Sequence, residues 1–336
     1  MPSANVRLPL PLVRLPTLMP GQAAGVDATG NETGLRTHVT GTCFYVDPNA
    51  TGVSDGRDGT EPNFPLQTVA AALGKCTDWH GDVVLVMMND NWQYGPFIET
   101  GTGTYTTCIN ETVVCTKHGV RIVGVCPSGS LGPIWRPATA GGTALTIHGM
   151  EVTVEGFAFS GFIGGAGGTA ISTEWNGTTL FGENDTVRHC FFSDTIDIGI
   201  QMEWSWNMYV TDCVFQECDS YGIYTDVGGS SCAYVTIADN WFQDCTLGAI
   251  KLLGGNASNL ITRNNIFNGA AAGGAAATDL GIDLTGGGLN IVSDNWLSCA
   301  LPGGGAGDLD DFNTAGVTDS WIGNHCSNGL QTTNPA

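Results

Sequence analysis

Short bursts of alternating apolar and polar residues recur along this chain, and the spacing between them carries the signal. Arg188-His189-Cys190-Phe191-Phe192 aligns with Thr211-Asp212-Cys213-Val214-Phe215, then with Ala238-Asp239-Asn240-Trp241-Phe242 and Arg263-Asn264-Asn265-Ile266-Phe267. Ser293-Asp294-Asn295-Trp296-Leu297 continues the series, and Ile322-Gly323-Asn324-His325-Cys326 ends it. Consecutive blocks end 23, 27, 25, 30 and 29 residues apart, and residues 154–159 read as an earlier, degenerate copy. After most blocks comes a second apolar run around a small residue: Ile198-Gly199-Ile200, Tyr221-Gly222-Ile223, Gly248-Ala249-Ile250, Gly281-Ile282. Two or three short β runs per period, with no helix between them, predict stacked coils that bury a face only against their neighbours. The leucine pattern of leucine-rich repeats is absent, and WD-type blades need about 40 or more residues. The expected fold is all-β, a right-handed parallel β-helix over residues 120–326.

Alternation along a strand then assigns columns. Asn240, Asn265, Asn295 and Asn324 are expected to stack as an internal amide ladder, on the same side as Phe192, Phe215, Phe242, Phe267 and Leu297. The intervening column of Phe191, Val214, Trp241, Ile266 and Trp296 is expected to face outward. An apolar outer column of that size marks a contact surface. Three occupants fit it: a sugar, a subunit seam in a homotrimer, or a covering loop from residues 268–279 or 300–311. Cys218 and Cys245 stack in register, about 4.8 Å apart as neighbouring strands are. That spacing permits a disulfide, although a reduced thiol ladder is the expectation.

Ahead of the repeats, residues 41–119 are expected to form a cap and the first strands. Leu66, Val69, Ala70 and Leu73 have helical spacing, and residues 83–88 read as a buried strand. Residues 1–40 differ from everything after them, with five of the 14 prolines in the first 20 positions. Proline fixes φ and removes donors, so an extended arm is expected there, with no helix. Leu8, Leu10 and Leu12 alternate between Arg7 and Arg14, which suits an anchoring strand laid on a partner. Residues 327–336 remain as a tail. Prolines and Arg14 interrupt the apolar stretch of residues 8–19, so it is not read as a secretory signal, and no run is long enough for a membrane span.

Composition narrows the function. Eleven Lys and Arg against 32 Asp and Glu give a net charge of −21, which argues against nucleic acid as a partner. Twelve Cys without one C-x-x-C pair give no metal signature, and no cofactor is expected. No nucleophile elbow, phosphate loop or dinucleotide fingerprint is present.

Tyr45-Val46-Asp47-Pro48, a loop ending in Asp58-Gly59-Thr60, and Pro65-Leu66-Gln67-Thr68-Val69 through Leu73 resemble the opening of the pectate-lyase-like β-helix superfamily. The resemblance implies a strand and helix that cap the first coil. It also implies kinship with phage tailspikes and virion appendages, many of which begin this way. Lyases of this kind use a carboxylate cluster with Ca²⁺ beside an Arg or Lys base. After residue 136 this chain has only Arg188, Lys251 and Arg263 as bases. Glu203 and Asp226 are expected on adjacent coils near Lys251, a spacing that would suit a retaining glycosidase pair at about 5 to 5.5 Å. A second acidic column, Asp194, Glu217 and Asp244, shows that a merely solvated acidic face looks the same. The favoured expectation is a structural virion protein, a capsid decoration or phage spike. It would be made in the host cytoplasm, held to capsid or tail proteins by its arm, and able to touch host surface polysaccharide. The alternative is a tailspike-like depolymerase, a lyase or glycosidase.

Overall fold

Six successive coils turn through the same two corners. Residues in the left-handed region recur at Glu151, Asn184, Asn207, Tyr234, Ser258 and Leu289, and again five positions later at Gly156, His189, Asp212, Asp239, Arg263 and Asp294. At the non-glycine corners φ lies between 52° and 62°. Asn and Asp tolerate this conformation because their short polar side chains bond locally. Between the two corners runs one three-residue strand per coil, and strands of successive coils pair in parallel and in register.

The computed structural model describes residues 41–87, 109–125, 132–160, 168–175, 182–193, 196–225, 232–268, 281–284, 288–299, 312–313, 319–326 and 329–331, with two short strands before residue 40. Three long sheets run along the axis. The first has ten strands, from Cys43–Val46 and Val83–Met87 to Ser320–Ile322. The second also has ten, nine parallel strands from Ile109–Asn110 to Asn324–Cys326 and the antiparallel strand Gly329–Gln331 that closes it. The third has eight, from Val113–Cys115 to Phe312–Asn313. This is the right-handed parallel β-helix expected from the repeat. The early strands Ala23–Val26 and Glu32–Arg36 pair antiparallel with each other. Arg7, Leu8, Leu10, Leu12 and Arg14 lie outside the described residues.

The core is a stack of rings. Phe159, Phe192, Phe215 and Phe242 lie face to face on successive coils, with centroids 5.2, 4.6 and 4.6 Å apart. All four are fully buried, each contributing about 1.5–3 kcal/mol of burial. Across from them run Gly199 and Gly222, where a Cβ would fall 2.7 Å from the rings of Phe215 and Phe242. The small residues read as marks of the third sheet are there because the ring stack leaves no room for more.

The fourth copy of the repeat corrects the expected register. Phe242 pairs with Ile266, and Trp241 with Asn265. The internal amides are therefore Asn240, Asn264, Asn295 and Asn324, all buried, whereas Asn265 is exposed and Ile266 is core. The corner decides this: Arg263 takes the left-handed conformation that Asp239 takes one coil earlier, so the ladder residue must be the next one, Asn264. Phe267 then pairs with Gln243 instead of continuing the ring stack.

The two middle amides, Asn264 and Asn295, each accept two bonds at Oδ1 and donate two from Nδ2. Asn264 Oδ1 accepts both the backbone N–H and the Nδ2 of Asn240, each at 3.0 Å. Asn264 Nδ2 donates to Asn295 Oδ1 and to the Ile237 carbonyl, each at 2.9 Å. A second ladder, absent from the sequence reading, runs along the preceding corner. There Val235 N–H donates to Asn259 Oδ1, Asn259 N–H to Asn290 Oδ1, and Asn290 N–H to Asp319 Oδ1.

At the N-terminal end, helix Val69–Lys75 caps the first coil. Thr68 accepts the Ala71 N–H, and the carboxylate of Glu111 takes the N–H groups of Val69 and Ala70 at 3.0 and 3.1 Å. Leu66 is fully buried but lies before the helix, bridged to Val46. Asp82, 1% exposed, accepts the N–H groups of Thr42 and Thr77 at 2.6 Å each. Cys43, Cys76, Cys115, Cys190, Cys213, Cys218, Cys232 and Cys245 are free thiols, Cys218 and Cys245 among the buried ones. Among the described residues no helix is long and apolar enough to cross a membrane.

Candidate functional site

Two neighbouring strands of the third sheet, Thr169–Thr173 and Ile198–Met202, each run into a Glu-Trp pair. Glu174 N–H donates to the Ile147 carbonyl and Glu203 N–H to the Thr173 carbonyl, which sets His148, Glu174 and Glu203 at one position on three successive coils. His148 Nε2 lies 3.8 Å from Glu174 Oε2. Each carboxylate is held from its own strand: Ser172 Oγ donates to Glu174 Oε1 at 2.8 Å, and Gln201 Nε2 to Glu203 Oε1 at 2.6 Å. Neighbouring strands lie about 4.8 Å apart, so the two glutamates leave the backbone one strand spacing from each other.

Trp175 and Trp204 follow directly. Their ring centroids are 5.6 Å apart and the planes are tilted by 57°, so the two indoles pack against each other as a wedge-shaped pair. Trp204 has φ 104°, outside even the left-handed helical range. For a bulky residue such a backbone costs about 1–3 kcal/mol and persists only where the surroundings enforce it. The enforcement is visible next to it: Ser205 is buried, its hydroxyl 2.5 Å from that of Thr173, the residue before Glu174. On the following coils Tyr221 and Tyr224 stack at 4.9 Å, with Lys251 Nζ 5.6 Å from the Tyr221 ring.

Of the residues proposed for catalysis, Glu203 sits in this group and Asp226 lies outside the described residues. Lys251 belongs to a different column, aligned with Gln201 and Tyr224, and its ammonium is paired with Asp283 at 2.9 Å. Asp283 is 2% exposed, so that ion pair is largely shielded from solvent. Glu217 and Asp244, from the second acidic column, are exposed corner residues with φ 54° and 52°, and Asp194 is outside the described residues. Among the described residues no group of acids, His and Cys is arranged to hold a metal ion.

The outward aromatic column is shorter than expected. Trp241 is 41% exposed and Trp296 52%, but Asn265 stands between them in place of Ile266. Phe191 is half-buried against Ile134 and Ala158. Trp241 stacks on Phe267 and Trp296 on His325. Of the candidate covering loops, 268–279 and 300–311, only Asn268, the last residue of the strand Asn265–Asn268, is among the described residues.

Sequence reasoning missed Glu174, Trp175 and Trp204. The signal was present as a repeated Glu-Trp dipeptide, at 174–175 and 203–204, one coil apart.

Residues 141–297 match the family model described as right handed beta helix region. No curated protein matches the chain. Among solved structures it is similar to a lacto-N-biosidase from Eubacterium ramulus, with 15% identity, a TM-score of 0.45, and coverage of 76% of this chain and 56% of that one. It is also similar to tailspike protein gp49 of Acinetobacter baumannii bacteriophage Fri1, a capsular polysaccharide depolymerase, with 10% identity, a TM-score of 0.48, and coverage of 91% and 58%. A third is pectate lyase Pel9A, with 15% identity, a TM-score of 0.42, and coverage of 85% and 80%. The chain thus spans a little over half the length of the first two.

Proposed function

We propose that this right-handed parallel β-helix of the pectate-lyase-like kind is a glycan-recognising surface protein, and that it takes its sugar at the Trp175–Trp204 wedge. One observation carries the reading: Trp204 is held at φ 104° beside two anchored carboxylates. A strained bulky residue next to polar groups marks a site kept for use, since relaxation would stabilise the fold. Indole faces suit the apolar faces of pyranose rings, and the carboxylates suit hydroxyls or amino groups at the ring edge.

Charge sets the substrate class. The protein carries −21, and Glu174 and Glu203 directly precede the two tryptophans of the wedge, while Lys251 is neutralised by Asp283. A polyuronate would be repelled. Neutral and amino-sugar glycans are the ligands this face favours. The setting as a virion spike or decoration rests on the Pro- and Arg-containing arm of residues 1–40 and remains part of the proposal.

The test is binding of the purified chain to a panel of neutral, amino-sugar and acidic surface polysaccharides, with Trp204→Ala beside the wild type. Binding confined to the first two classes and weakened about tenfold or more by the substitution is expected. Selective binding to polyuronates, or unchanged binding by Trp204→Ala, overturns the assignment. The depolymerase alternative is favoured by the adjacency of Glu174 and Glu203. It requires release of reducing ends that Glu203→Gln abolishes while the melting temperature stays put.

A further inference from the structure

One interior corner holds a carboxyl group where later coils hold amides. Asp185 is fully buried, between Val152 and Met208 on the coils either side. Its Oδ1 accepts the Val152 N–H at 2.8 Å. Asn259 Oδ1 takes the equivalent bond from Val235 at 2.9 Å, and Asn290 Oδ1 from Asn259 at 3.0 Å. The amides then use Nδ2 as a donor, as Asn290 does towards Asn256 and Asp319. Asp185 Oδ2, by contrast, has no hydrogen-bond partner among the described residues. It lies beside Gly182, as does Thr173, whose hydroxyl is bonded to that of Ser205.

The titratable groups that face Asp185 are Glu151, Glu183 and Cys115, all of them acids. An ionised Asp185 would therefore place an orphaned anionic oxygen in the interior, with its charged neighbours of the same sign. A protonated one is an amide mimic: one oxygen accepts from the backbone and an O–H stands where Asn keeps its donor.

We infer that Asp185 is a proton-dependent latch, which holds the strands Gly182–Glu183 and Thr186–Arg188 to their neighbouring coils when it is a neutral acid and loosens them on ionisation. Burial, reinforced by Glu183 and Glu151 and opposed by the Val152 N–H, holds its pKa well above the usual carboxylate range. In the unfolded chain the group titrates near ~3.9. Between that value and the raised one the folded state binds more protons than the unfolded state. The stabilisation is then complete below the unfolded value and is lost as pH rises through the folded one. The coil of these strands ends at Glu203, Trp204 and Ser205, so the latch lies under the wedge, but the inference stands without any sugar.

Melting of the full chain followed from about pH 4 to about pH 9, wild type against Asp185→Asn, tests it. The two should melt together at the acid end. The wild type should fall several degrees behind as pH rises, while the neutral amide variant should not show that fall. Parallel profiles overturn the inference. Should the variant not fold, the Val152 amide resonance of the wild type decides. An inflection well above the ordinary carboxylate range supports the latch, and a trace that is flat or inflects near ~4 overturns it.

Discussion

In the coils around residues 190–213, the inner corner before the second sheet is filled by Cys190 and Cys213. From residue 240 onward the same column holds Asn240, Asn264, Asn295 and Asn324. Both kinds of side chain lie against the same carbonyl column. The sulfurs of Cys190 and Cys213 are 3.9 and 3.8 Å from the Val154 and Val187 carbonyls, but nearer, at 3.4 and 3.3 Å, to the Arg188 and Thr211 carbonyls two residues back. The amides reach Val210, Ile237, Ile261 and Val292 at 2.9 to 3.0 Å. A thiol is a weak donor and little of an acceptor, so the early coils rely on its volume. Burial, then the bond to its neighbour Cys190, raises the pKa of Cys213 well above the ordinary thiol value, which keeps the proton and the weak donor in place. The amides instead bond along the axis, each coil supplying acceptors for the one before it. The comparison teaches that one geometric slot can be filled by packing or by polarity, and that only the polar filling makes one coil depend on the next.

The largest break in this contrast should come from Asn264→Leu. It leaves the Asn240 N–H without its partner and takes one bond each from the Asn240 Nδ2 and the Ile237 carbonyl, and at about 1–3 kcal/mol for the orphan and about 0.5–1.5 for each lost bond the total is about 2–5 kcal/mol. Urea unfolding would measure it, and a loss under about 1 kcal/mol would show that the ladder is not what holds these coils. Cys213→Ala, in the packing half of the same column, should lose only about 1–2 kcal/mol, the value of a small buried group. A loss equal to that of Asn264→Leu would erase the distinction between the halves. Smallest of all is Asn265→Leu, one position along and exposed, expected within about 0.5 kcal/mol of wild type. Comparing it with Asn264→Leu reads the register directly.

Much of this was legible in the sequence. Block spacing gave the solenoid, alternation gave the inward rings and outward tryptophans, and the opening motif gave the capping strand and helix. The slip at Asn264 was not legible, because two consecutive asparagines offer equal matches and only the backbone of Arg263 chooses between them. Phe267, an aromatic in the wrong register, strengthened the wrong match. The second ladder was hidden because its column mixes residue types: Val152, Asp185, Met208 and Val235 precede Asn259 and Asn290, so no single letter repeats. Glu111 could not be paired with helix Val69–Lys75 from sequence, since 42 residues separate it from the first amide it caps. The wedge was missed for a different reason. Glu-Trp recurs only twice and lies outside the blocks that carried the period.

The left-handed corners have a further consequence. Their separation is five residues in every coil from Glu151–Gly156 to Leu289–Asp294, although the blocks themselves recur at 23 to 30 residues. The chain thus keeps a reading frame. Length can drift between the sheets without penalty, whereas a single insertion between a pair of corners would shift every inward side chain of that strand to the outside. Evolution of such a molecule is expected to proceed in two currencies, whole coils and outer loops, with the five-residue span as the part that does not change.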